Sequence, residues 1–163
     1  MIMGMPFNAD EIFEMAEHIE RNGAKFYRAA AKKLPAAKQE LLDLASMEDE
    51  HLKTFADMRA QLFASEQEVL VFDPDGQAQM YLRVMADEHV FDVKTDPTEQ
   101  LTGRETAQDI FRTAIGFEKD SIVFYTGLKE CVSRKAGKEK VEAIIAEEMG
   151  HIGKITKMLA VLK

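Results

Sequence analysis

Along most of the chain apolar residues recur at alternating spacings of three and four, the period at which one face of an α-helix turns inward. Four long stretches carry this pattern. The first opens where Asn8 and Glu11 stand at capping-box spacing and runs to about Lys33, with Pro35 as its stop. The second runs from about Ala36 to Phe63, the third from about Glu105 to Ser133, and the fourth from about Lys138 to Leu162, with Gly137 punctuating the turn between the last two. Short links around Pro35 and Gly137 fold each neighbouring pair into an antiparallel hairpin. The middle link, 64–104, is far longer, carries Pro74, Gly76, Pro97 and Gly103, and contains one short predicted helix from Gln77 to Val90. The pattern predicts a single all-α domain: a four-helix bundle of two antiparallel hairpins joined by a long crossover. Helices of ~25 residues would each span about 37 Å.

The inward seams are unusual in what they hold. The first helix presents Phe13, Ala16, Glu20, Gly23, Tyr27, Ala30 and Leu34; the second, Leu41, Leu44, Glu48, His51, Phe55, Met58 and Leu62. The third presents Phe111, Ala114, Glu118, Ser121, Tyr125, Leu128 and Val132, and the fourth Val141, Ile144, Glu148, His151, Ile155, Met158 and Leu162. Each seam has a Glu at its third position, followed by His in the second and fourth helices and by a small residue, then Tyr, in the first and third. The two halves are an internal repeat of hairpins: ERNGAKFY at 20–27 matches EKDSIVFY at 118–125, and EDEH at 48–51 matches EMGH at 148–151. Placing these acids and histidines on a solvent face would instead expose Leu41, Leu44, Phe55, Ile144 and Ile155, which apolar side chains of this size disfavour.

Four carboxylates converging in an apolar core repel one another, and each ionised group costs several kcal/mol, in order of magnitude, unless it is paired. Lys and Arg are absent from the seams, so the compensating charge has to come from elsewhere. Two divalent ions would balance the four Glu residues, and two neutral imidazoles would complete the ligand shell without adding charge. Glu and His three apart on a helix project from one face and can grip the same ions. Glu20, Glu48, His51, Glu118, Glu148 and His151 are therefore the candidate metal ligands. Tyr27 and Tyr125 are expected as core aromatics whose hydroxyls find a partner. His18 and His89 are expected at the surface, Asp49 and Glu50 on a solvated face, Cys131 as an inert small apolar residue, and the ten Met as core filler.

Composition narrows the class further. With 46% hydrophobic and 31% charged residues the chain has enough apolar material for a folded core. A net charge of −8 with no Lys/Arg cluster argues against nucleic acid or an anionic membrane as partner. The single cysteine, Cys131, excludes an internal disulfide and a cysteine-rich metal site, and fits a reducing compartment. Residues 1–7 lack the features of a signal peptide and no stretch approaches the ~18 unbroken apolar residues of a membrane span, so a cytoplasmic location is expected.

Through ERNGAKFY, MEDEH, FEKDSIVFY and EEMGH the sequence resembles the ferritin-like superfamily, and within it the rubrerythrin-type proteins, over essentially its whole length. One Glu from each of two helices plus Glu-x-x-His from each of the other two is the ligand pattern of di-iron carboxylate bundles. The resemblance implies that Glu48 and Glu148 bridge two irons, that Glu20 and Glu118 are terminal ligands, and that His51 and His151 each complete one iron. It further implies a homo-oligomer, a dimer or larger, and an oxidoreductase acting on peroxide, oxygen or ferrous iron. The same ligand set also accepts manganese. Two departures bear on activity. Peroxidase members of the family carry a further Glu at the position of Ser121, and they carry a rubredoxin domain that one cysteine cannot build, so turnover would need a separate electron donor protein. The alternatives are a noncatalytic iron-handling or storage protein, which assembly size would distinguish, and a metal-free helical interaction module, against which the intact set of six ligands argues.

Overall fold

The computed structural model describes residues 8–62, 73–87 and 96–162, and the regular elements among them are helices. They are α1 (Ala9–Lys33), α2 (Lys38–Leu62), α3 (Gln77–Asp87), α4 (Ala107–Cys131) and α5 (Lys138–Val161), with single 3-10 turns at Pro35–Ala37 and Pro97–Gln100. Residues 1–7, Phe63, His89 and the 88–90 end of the predicted crossover helix lie outside the described residues. No helix among the described residues is long and apolar enough to cross a membrane.

Local chemistry accounts for the helix ends. Asn8 Oδ1 accepts from the Glu11 amide at 2.9 Å while Glu11 Oε2 accepts from the Asn8 amide at 2.9 Å, closing the capping box at the head of α1. A second box, Thr106 with Asp109, heads α4. This is why α4 starts two residues later than the pattern predicts: Glu105 lies outside it, its carboxylate held by the amides of Thr102 and Gly103 at 2.8 and 2.9 Å. Likewise Pro35 opens a 3-10 turn, and α2 proper begins at Lys38 rather than Ala36. Gly137 precedes α5 with φ +105°, a left-handed conformation that residues with a Cβ rarely adopt.

The first hairpin is antiparallel, as the Arg59 guanidinium near the end of α2 shows by reaching Asp10 at the start of α1, at 2.6 and 2.9 Å. Further along, Arg28 of α1 pairs with Asp49 of α2. In the bundle α1 also packs on α4, and α2 on α5. The α3 helix lies on α4: Leu82 is fully buried, the Tyr81 hydroxyl donates to the Val123 carbonyl at 2.8 Å, and Gly127 leaves room for the Tyr81 ring, with which a Cβ there would collide. A carboxylate, Asp73, accepts from the first amides of α3.

Most seam residues are buried as the periodicity predicts; Gly23, Leu34, Leu62 and Met158 are partly buried, and Leu162 is exposed. Leu162 falls beyond the last turn of α5 and is 41% exposed, because the helix ends before it can face the bundle. Among the Met residues Met58 is buried and Met15, Met85 and Met158 pack on the core, whereas Met80 and Met149 are exposed and fill nothing. The core itself is in two parts. One apolar cluster includes Phe13, Phe55, Phe124, Leu128 and Val141; the other includes Phe26, Leu41, Leu44, Phe111 and Ile155. Between them along the seams lies a layer of buried acids and imidazoles.

Candidate metal centre

Each long helix contributes to that layer from its middle, where the seam order Glu then His, or Glu then small residue then Tyr, was set by sequence. Glu20, Glu48, Glu118, Glu148, His51 and His151 are all at most 3% exposed. The six residues singled out from sequence are thus brought together in one place. Their donor atoms form two overlapping groups, Glu20, Glu48, His51 and Glu148, and Glu48, Glu118, Glu148 and His151, in each of which the ligand atoms lie within 4.8 Å of one another. Glu48 and Glu148 are common to both.

A local two-fold relation links the halves. His51 Nδ1 lies 3.1 Å from Glu148 Oε1, and His151 Nδ1 lies 3.2 Å from Glu48 Oε1. The Tyr125 hydroxyl of α4 donates to Glu20 of α1, and the Tyr27 hydroxyl of α1 donates to Glu118 of α4. The tyrosines are therefore core aromatics with a specific task, since each hydroxyl holds one carboxylate of the opposite hairpin. Gly23 serves the same layer by its lack of a side chain: a Cβ there would stand 2.8 Å from Glu48 Oε2.

The electrostatics are those of a crowded acidic site. Burial, reinforced by neighbouring carboxylates, pushes the Glu48 carboxyl well above its ordinary range, and burial also raises Glu20 and Glu118. Glu148 goes the other way: burial alone would raise it, but the imidazoles of His151 and His51 beside it hold it down to about 2. Burial opposes the charged imidazoles, yet the surrounding carboxylates outweigh it and hold His51 up at about 11 and His151 at about 12. Burial and the same carboxylates keep both tyrosine hydroxyls protonated, as donors.

Among the described residues several of these buried atoms find no hydrogen-bond partner: Glu20 Oε2, Glu48 Oε1, Glu148 Oε2 and both ring nitrogens of His151. His151 Nδ1 has oxygens of Glu148, Glu48 and Glu118 at 2.8, 3.2 and 3.4 Å, none of them placed to receive its N–H. Oxygens and nitrogens that crowd a point without bonding one another are what a cation needs and what a polar core avoids. The layer could hold metal ions, and its oxygen and nitrogen donors suit iron, manganese or zinc.

The other candidates lie elsewhere. His18 is half-buried on α1, with Arg21 at 3.3 Å from its Nδ1. Cys131 is buried against the apolar cluster, and burial pushes its thiol up to about 11, which keeps it protonated at neutral pH. Ser121, 6% exposed, donates to the Phe117 carbonyl at 3.0 Å and so faces its own helix. Glu50 is exposed as expected, while Asp49 is tied to Arg28. One residue escaped the sequence reading: Glu147, half exposed, whose Oε2 lies 2.9 Å from His51 Nε2. Its signal was a break in the hairpin repeat, where Glu147 stands opposite Met47. No family model, curated protein or solved structure matches this chain.

Proposed function

We propose that the protein is a ferritin-like, rubrerythrin-type dinuclear metal protein, most simply a di-iron oxidoreductase acting on peroxide, oxygen or ferrous iron. The observation that carries this reading is the pair of overlapping donor groups sharing Glu48 and Glu148. Two ions side by side are commonly held by shared carboxylates, and a single-ion site has no use for a second, overlapping donor group. In this reading Glu48 and Glu148 bridge, Glu20 and His51 hold one ion, and Glu118 and His151 hold the other.

Two ferrous ions bound there would supply two electrons, enough with two protons to reduce one hydrogen peroxide to two waters. The chain's own contribution is position and environment. Tyr125 and Tyr27 each occupy one carboxylate oxygen of Glu20 and Glu118, leaving the other oxygen to bind or to swing. The apolar clusters on either side exclude water, which strengthens every charge interaction in the layer. With serine at 121, its hydroxyl turned to the Phe117 carbonyl, α4 offers one carboxylate to the centre, Glu118. A homo-oligomer and a separate electron donor protein belong to the same reading.

The test is metal content per chain after anaerobic loading with Fe(II) and removal of loose ions, followed by exposure to peroxide or oxygen. The reading expects about two irons per chain and oxidation by one of the two. Absence of bound iron in folded protein would refute the iron centre. Two irons that oxidise only within a large hollow assembly would favour storage.

A further inference from the structure

The two-fold relation that maps the ligands of one hairpin onto those of the other fails at one place, just outside the ligand shell. His51 Nε2, the ring nitrogen turned away from the carboxylates, meets Glu147 Oε2 at 2.9 Å. The corresponding nitrogen of His151 is buried and has no hydrogen bond among the described residues. The repeat gives the reason: Glu147 precedes Glu148 where Met47 precedes Glu48, and a thioether is a poor partner for an imidazole N–H. The Met47 sulfur lies instead 3.5 Å from Lys154 Nζ.

A carboxylate on the outer nitrogen does three things to a histidine ligand. It keeps the proton of the neutral ring on Nε2, so that the lone pair of Nδ1 faces the metal; it fixes the ring's rotation; and it makes the ring a stronger donor. His51 has such a partner, and among the described residues His151 has none. We propose that Glu147 is a positioning residue that makes the two metal positions unequal, the Glu20/His51 position binding its ion more tightly and filling first. This rests on the dinuclear reading above. Its basis is a hydrogen bond present on one side of a near-symmetric centre and missing on the other.

Loss of such an outer partner lowers metal affinity by about 10- to 100-fold. The experiment is a Co(II) titration of the metal-free protein, followed by the visible absorption of the bound ion and by calorimetry. Wild type should show two ions bound with affinities about 10- to 100-fold apart. Glu147→Ala should weaken the tighter position and bring the two together, while Glu147→Gln, which keeps a carbonyl acceptor for the Nε2 proton, should restore part of the gap. Met47→Glu should tighten the weaker position. Glu118→Ala should retain the tight ion and Glu20→Ala the weak one. Helix content and the unfolding midpoint of the metal-free Glu147→Ala protein serve as the control, because a merely structural residue would move these and not the ratio of affinities. Two equal affinities in wild type, or a ratio unchanged by Glu147→Ala, would overturn the inference with the dinuclear reading intact. Absence of Co(II) binding would overturn both.

Discussion

Substituting Gly23 by Ala sets two effects against each other whose sizes follow from the structure. Glycine within a helix is ~1 kcal/mol less favourable than alanine, so on backbone grounds Gly23→Ala should stabilise α1. The new methyl, however, would lie 2.8 Å from Glu48 Oε2. A carbon and an oxygen ordinarily approach to about 3.3 Å, so the carboxylate has to retreat by about 0.5 Å. A folded but metal-free chain accommodates this at the end of a side chain, and its stability should change by less than about 1 kcal/mol. Metal ligands are far less tolerant, since bond lengths vary by only about 0.2 Å. Glu48 is in both donor groups, so both ions should bind about tenfold more weakly or worse, a loss of the size seen when a ligand's support is removed. Thermal unfolding of the metal-free protein and an anaerobic Fe(II) titration measure the two effects separately. Wild-type affinity in Gly23→Ala would refute the idea that this glycine exists to clear space for the Glu48 carboxylate.

Three further outcomes follow from the same geometry. Glu48→Ala and Glu148→Ala should lose both ions while keeping their helix content, whereas Glu20→Ala and Glu118→Ala, each missing from one donor group, should retain about one ion per chain by elemental analysis. Tyr27→Phe and Tyr125→Phe each leave a buried carboxyl oxygen without its donor, and calorimetry should find the metal-free protein about 1–3 kcal/mol less stable, an unchanged midpoint counting against the hydroxyl's role. Ser121→Glu places a carboxylate where peroxidase members of the resembled family carry one, and should speed peroxide-driven oxidation of the ferrous protein in stopped flow; an unaltered rate would remove the missing carboxylate at Ser121 as a limit on reaction with peroxide.

Much of this layer was legible in the sequence because its information is periodic. Glu20, Glu48, Glu118 and Glu148 fall in phase with Phe13, Leu41, Phe111 and Val141, so burying the apolar residues buries the acids as well. The helix starts were less legible, because competition among nearby caps decides them: Thr106 with Asp109 and Glu105 with Thr102 are equally good local pairs, and only three-dimensional placement assigns each its amides. The tyrosine contacts run between hairpins, 91 and 105 residues apart, and no spacing rule within one helix announces them. Glu147 is harder still. An exposed acid on a charged helix is ordinary, and what marks it is the difference from Met47 in a repeat otherwise close to symmetric.

The layer also makes metal a part of the fold's stability. Four buried ligand atoms without hydrogen bonds among the described residues, each costing about 1–3 kcal/mol, stand between two apolar clusters that would otherwise close on each other. A domain has only about 5–15 kcal/mol of net stability, so the metal-free chain has little margin. An ion that binds the folded chain alone stabilises it by about 4 kcal/mol at a thousandfold excess over its dissociation constant. In a domain of this size each kcal/mol moves the midpoint by about 2–4 °C, so the tighter ion alone should raise it by roughly 8–16 °C. Scanning calorimetry with EDTA and with Co(II) makes the comparison. Glu48→Ala, stripped of ligands for both ions, should unfold at the same temperature in the two buffers. A wild-type midpoint indifferent to the metal would mean that the orphaned atoms of this layer find their partners in some other way, and the metal reading would fall with it.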